Sequence, residues 1–144
     1  LRWWKRQRQG MTMIEMKVKT TMDAKRVVKA ARTGSITSLG HAGGAIRMTA
    51  KRSIRRSKSE SQEGTPPHTR KGQLRRAILY AVEKDKQSVV VGPDVSIVST
   101  AGTAHEFGGR FRGEQYPRRP FMGPALEKTK ERLPKMWAGS VRSR

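Results

Sequence analysis

Ile36, Leu39, Gly43, Ile46, Ala50 and Ile54 recur at spacings of three and four. That period places all six on one face of a helix, which the sequence predicts to run to about Arg56. Gly40, Gly43 and Gly44 lie inside it, each costing about 1 kcal/mol of helix propensity against alanine. Such a cost is offset where another backbone comes close. No Lys-Ser/Thr follows Gly-His-Ala-Gly-Gly at the required spacing, so this is a packing stretch and not a phosphate loop. Upstream, Asp23 is placed to cap a helix from near Ala24, with Val27, Val28 and Ala31 on its apolar side. Gly34 and Ser35 read as the stop of that first helix and the N-cap of the next.

The other face of the long helix carries Arg47, Lys51, Arg52, Arg55 and Arg56, followed by Lys58. Like charges three or four apart repel, so this face needs solvent, a polyanion or an acidic neighbour. The whole chain repeats the theme. Its 144 residues include 32 Lys and Arg against 11 Asp and Glu, a formal charge of +21. A charge of that size points to contact with nucleic acid or an acidic protein surface, or to a place in an assembly that tolerates it; the plain alternative is a generally basic, solvated surface. Only 34% of residues are hydrophobic, so one domain with a small core is expected. No cysteine is present, which excludes disulfides and thiolate metal sites. No apolar run reaches the roughly 18 residues of a membrane span. The basic N-terminus lacks the apolar region of a secretory signal, so synthesis in a cytoplasm is expected.

The expected organisation is a basic N-terminal arm over residues 1–11, an α+β domain over 12–138 and a basic tail over 139–144. The arm holds Trp3 and Trp4 among arginines, which suits nucleic acid or anchorage in a neighbouring subunit, and equally a tail without a role. Residues 12–19 alternate, with Ile14, Met16 and Val18 on one side, and read as a half-buried strand. Residues 57–73 form a long loop, polar at first and stiffened by Pro66 and Pro67; His68 reads as a loop residue without metal partners. Residues 74–83 are predicted to start helical and pass into a strand. A turn at 84–86 and a buried strand at 88–91 follow, then a break at Gly92-Pro93-Asp94 and a further strand at 95–99, making an antiparallel meander. His105 and Glu106 invite a metal or acid–base reading, but convergent ligands are lacking, and a helix turn ending at Gly108 with Phe107 packed inward fits better. Residues 111–116 read as a basic loop. Residues 117–133 form an extended lead-in through Pro117 and Pro120, one large aromatic at Phe121, and a helix with Pro124 and Glu127 in its first turn.

Three stretches now stand in order: residues 64–78 (Gly-Thr-Pro-Pro-His-Thr-Arg-Lys-Gly-Gln-Leu-Arg-Arg-Ala-Ile), 105–108 (His-Glu-Phe-Gly) and 119–126 (Arg-Pro-Phe-Met-Gly-Pro-Ala-Leu). Together they resemble the tail-completion, or head–tail joining, family of tailed bacteriophages. The resemblance spans about residues 20–135. It departs from the family at Gly109-Arg110-Phe111, where a small polar residue is usual, and in the tryptophan-bearing arm. It implies an α+β subunit with a small antiparallel sheet packed by helices, assembled as a ring, usually sixfold, between head connector and tail tube. It implies a virion protein of the neck, without cofactor, metal or catalysis, made in the bacterial cytoplasm. Its partners would be its own copies, the tail tube protein, the connector proteins and genomic DNA passing through the lumen.

On this reading the interface candidates are Trp3, Trp4, Pro66, Pro67, His68, Phe107, Phe111, Arg119 and Phe121. Arg47, Lys51, Arg52, Arg55 and Arg56 are candidates for the DNA lumen or an acidic partner. The alternative is a basic nucleic-acid-binding protein, such as a ribosomal or nucleoid component, although no established nucleic-acid-binding signature is present. An enzyme is not expected, because the eleven acidic residues are scattered singly.

Overall fold

The long helix begins where Asp23 accepts the Arg26 N–H on its side chain at 3.1 Å, and runs without a break as α1, Ala24–Ser53. Thirty residues at about 1.5 Å each make it roughly 45 Å long. The structure, a computed structural model, describes residues 23–141. The predicted strand at 12–19 and the tryptophan arm lie outside them.

The predicted break at Gly34 and Ser35 is overturned. Gly34 is there for a close approach: a Cβ at this position would collide with the backbone carbonyl of Ser140. The neighbouring small residues seat the same C-terminal segment. Ser38 donates to the Met136 carbonyl at 2.8 Å, and the Trp137 indole N–H donates to Ser35 Oγ at 3.4 Å.

A short helix α2, Gln73–Ala77, feeds directly into β1, Ile78–Glu83, as the sequence predicts. β1 pairs antiparallel with β2, Ser88–Pro93, from Ile78↔Pro93 to Glu83↔Ser88. Three sequence expectations fail here. β2 continues through Gly92 and Pro93, and it is not wholly buried, with Val90 exposed. The predicted strand at 95–99 is a helical turn, α3, Val95–Val98, because Asp94 caps it by accepting the Ser96 N–H at 2.8 Å. The meander is therefore a hairpin.

Helix α4, Ala101–Phe107, ends at Gly108 with φ 74°. The predicted loop at 111–116 is a second hairpin of β3, Gly109–Phe111, and β4, Glu114–Tyr116. Helix α5, Met122–Lys130, and a 3-10 turn, Pro134–Met136, complete the described chain. The fold is α+β, with two small antiparallel two-stranded sheets and helices against them.

The core gathers Ala50 and Ile54 at the end of α1, Leu74 of α2, Ile78 of β1, and Phe121 and Ala125 at the start of α5. Half-buried Val98 and Met122 pack against it. Phe121 and Ile78 are fully buried. The glycines of α1 are partly explained by the hairpin. A Cβ on Gly43 would stand 2.6 Å from Val89 Cγ2 and 2.7 Å from Tyr80 Cδ2, so here the close neighbours are side chains of the sheet and not another backbone.

Candidate functional site

The start of α5 has no capping side chain of its own, and its first turn contains no acidic residue. Glu127, assigned to that turn from sequence, lies later in the helix and pairs with Lys130. The negative charge comes instead from α4. Glu106 Oε2 accepts the N–H groups of Phe121 at 2.8 Å and Met122 at 2.9 Å, and Oε1 accepts that of Gly123 at 2.8 Å. Three otherwise orphaned helix donors are satisfied by one carboxylate, in the place where the helix dipole favours a negative charge.

The residues before Phe121 complete this junction. The Arg119 N–H donates to the His105 carbonyl at 2.6 Å. Its guanidinium is buried, with Nε donating to the Ser61 carbonyl at 2.9 Å and Nη2 reaching Glu60 at 3.2 Å. Arg118 Nε donates to the Glu106 carbonyl at 3.3 Å, and the Gly64 N–H donates to the Arg118 carbonyl at 2.8 Å. The loop, the His-Glu-Phe-Gly turn and the Arg-Pro-Phe helix start thus meet in one place.

His105 is half-buried, edge-on to Tyr116 with ring centroids 5.7 Å apart, and its Nδ1 is buried without a hydrogen-bond partner. Desolvation, and then the Arg119 charge, hold the imidazole below its ordinary pKa, against a smaller opposing effect of Glu60. Among the described residues no group of three or more His, Asp and Glu is placed to hold a metal ion. Glu106 spends its oxygens on the helix start.

Beside the junction lies an apolar groove of about 510 Å³. Ile46 of α1, Val89 and Val91 of β2, Phe107 of α4, and Met122 and Leu126 of α5 line it. Phe107 is 73% exposed at its margin, against the inward packing expected from sequence. Gly108 ends α4 immediately after it, and no described element covers the ring. Val90, Val95 and Ile97 are also exposed. Among the described residues neither edge of the β1–β2 hairpin carries another strand.

The interface candidates divide. Phe121, Arg119 and Pro67 are corrected: all three are buried, and they hold the junction and loop together from inside. Pro66, His68 and Phe111 are half-buried; His68 Nδ1 donates to the Ser59 carbonyl at 3.0 Å, and Phe111 packs edge-on to Tyr116. Phe107 alone of the described candidates stands open. Trp3 and Trp4 lie outside the described residues. Of the basic face, Arg47 turns back to the sheet, its Nε donating to the Ile78 carbonyl at 2.8 Å. Lys51 is half-buried, and desolvation followed by the charges of Arg47 and Arg75 lowers its pKa. Arg56 donates to the Arg70 carbonyl at 3.2 Å, while Arg52 and Arg55 are exposed.

Sequence reading missed the capping role of Glu106 and the groove itself. A glutamate fifteen residues or more before the amides it binds leaves no periodic signal. That half-buried Val89 and Val91 share a wall with exposed Leu126 depends on how β2 and α5 are placed. Among the described residues no helix is long and apolar enough to cross a membrane. The chain matches no protein-family model, no curated protein and no solved structure.

Proposed function

We propose that this chain is a structural subunit of the head–tail junction of a tailed bacteriophage, forming a homo-oligomeric ring that completes the tail and joins it to the head connector. The observation that carries the reading is the junction itself. The three stretches that resemble the tail-completion family are far apart in sequence, and Gly64 and Glu106 both hydrogen-bond to the segment 118–123. Motifs that form one structural unit are better support for kinship than the same motifs scattered over a surface.

The surface suits assembly. The open groove with Phe107 on its margin offers an apolar, aromatic contact of the kind that anchors interfaces. The edges of the β1–β2 hairpin, which carry no further strand among the described residues, can accept one from a neighbour. The role is architectural, in the virion neck, with no catalytic step; the sixfold order is the one that the resemblance implies.

Native mass spectrometry of the purified chain over a salt series, with and without DNA, tests this. A discrete ring that persists without DNA is the expected result, and Phe107→Ser should shift it toward monomer while the fold stays intact. A chain that remains monomeric and also ignores tail tubes and connectors would overturn the proposal.

A further inference from the structure

We propose that a second cleft, apart from the apolar groove, takes the phosphodiester backbone of a nucleic acid. It encloses about 610 Å³ between the end of α1, the Pro-Pro loop and α5. Arg52 and Arg55 come from the first, Pro66 and His68 from the second, and Lys128 from the third. No acidic residue lines it.

The three cations of the cleft are not neutralised by any described carboxylate. Among the described residues Arg119, Lys86 and Lys130 each have a carboxylate partner, whereas the side chains of Arg52, Arg55 and Lys128 have none and make no hydrogen bond. Glu127, next to Lys128 in sequence, is taken by Lys130. Three unneutralised cations around one concavity raise a positive potential inside it, and an anion lowers their mutual repulsion.

The walls indicate which kind of anion. Thr49 and Ser53 donate their hydroxyl protons to the Ala45 and Ala50 carbonyls at 2.9 and 2.7 Å, and Thr65 donates to the Gln62 carbonyl at 2.6 Å. Those protons are committed, so the cleft does not present the convergent neutral donors that hold a small free phosphate. Attraction rests on long, exposed cationic side chains, which suits a repeating polyanion bound through charge. Pro66 and His68 add ring surfaces for sugar and base, and His68 is held in place because its Nδ1 must donate to the Ser59 carbonyl. Nucleic acid uses both the charges and the rings, whereas an acidic protein segment needs only the charges.

The proposal concerns one subunit and does not depend on the ring. Fluorescence anisotropy of the full chain against a labelled mixed-sequence DNA duplex, over a salt series, tests it. Substituting Arg52, Arg55 and Lys128 together by alanine should weaken binding at least about tenfold and reduce the salt slope by about 2.7, the value for three lost phosphate contacts. A control triple, Lys25, Lys84 and Arg110 to alanine, removes equal charge from exposed sites outside the cleft and should leave the slope within about one of the original. Both triples should keep the thermal midpoint of the parent, since all six side chains are exposed. Equal losses in the two triples, or no binding by the parent chain, would overturn the proposal. Displacement of the duplex by polyglutamate as effectively as by unlabelled duplex of equal charge would overturn it in favour of an acidic protein partner. Native masses of the same samples judge the ring separately.

Discussion

Glu106 caps the helix that Phe121 begins. Its Oε2 accepts the Phe121 N–H at 2.8 Å, and the same carboxylate takes the next two amides. The bond fixes α4 against the start of α5 and holds Phe121 in the core.

Replacing Glu106 by alanine should therefore lower the free energy of unfolding by about 2 kcal/mol, because three N–H groups lose a charged acceptor. Glutamine has one acceptor oxygen and no charge, so it should recover only part. Urea unfolding checks this; equal stability of all three forms would show that solvent replaces the carboxylate at no cost.

Two adjacent glycines of α1 should respond in opposite directions. A Cβ on Gly43 would press on Val89 and Tyr80, so Gly43→Ala should cost about 1–3 kcal/mol. Nothing stands within 4 Å of a Cβ on Gly44, so Gly44→Ala should gain about 0.5–1 kcal/mol of helix propensity. Thermal unfolding of the two variants decides whether α1 packs on the hairpin at Gly43.

Arg119 should behave as an interior tether of the loop. Its buried bond to the Ser61 carbonyl matters more than its pairing with Glu60, whose side chain is largely exposed and screened. Arg119→Met should cost about 1–3 kcal/mol and speed proteolysis within residues 57–64. Lysine should not restore the parent, since it lacks the planar fork. Unchanged cleavage would separate the loop from this side chain.

Stability should fall as the solution is acidified through the histidine range. The folded imidazole of His105 has a lowered pKa, so the unfolded chain takes up the proton first. The contribution is fully present above the unfolded value of about 6.5 and declines as pH falls through it, until the folded imidazole also protonates. Arg119 and Glu60 are the charges acting on it. Melting curves from neutral pH down to the upper edge of the carboxylate range, with His105→Gln as comparison, should show a smaller acid dependence in the variant. Equal dependence would place the effect elsewhere.

Local patterning in the sequence determined a good deal. The three-and-four spacing from Ile36 to Ile54 specified the second half of the long helix: Gly43, Ile46 and Ala50 are buried on it and Ile54 just past its end, while Ile36 and Leu39 are half-buried. Asp23 announced its start, the helical-to-β passage at residues 73–83 was legible, and Gly108 marked the end of α4. These features depend on neighbours within a turn or two, where side-chain periodicity and backbone preference act directly.

Tertiary structure decided the rest. Gly34 read as a stop because a glycine needed for close packing carries the same letter as one needed for a turn; only the position of Ser140 distinguishes them. Phe121 became core and Phe107 surface, although both are aromatics beside a helix end, because α1 and β1 meet over one and no described element covers the other. Glu106 and Arg119 found partners fifteen and fifty-eight residues away. Burial and long-range hydrogen bonds are set by which surfaces meet, and that information is not carried by any single stretch of the chain.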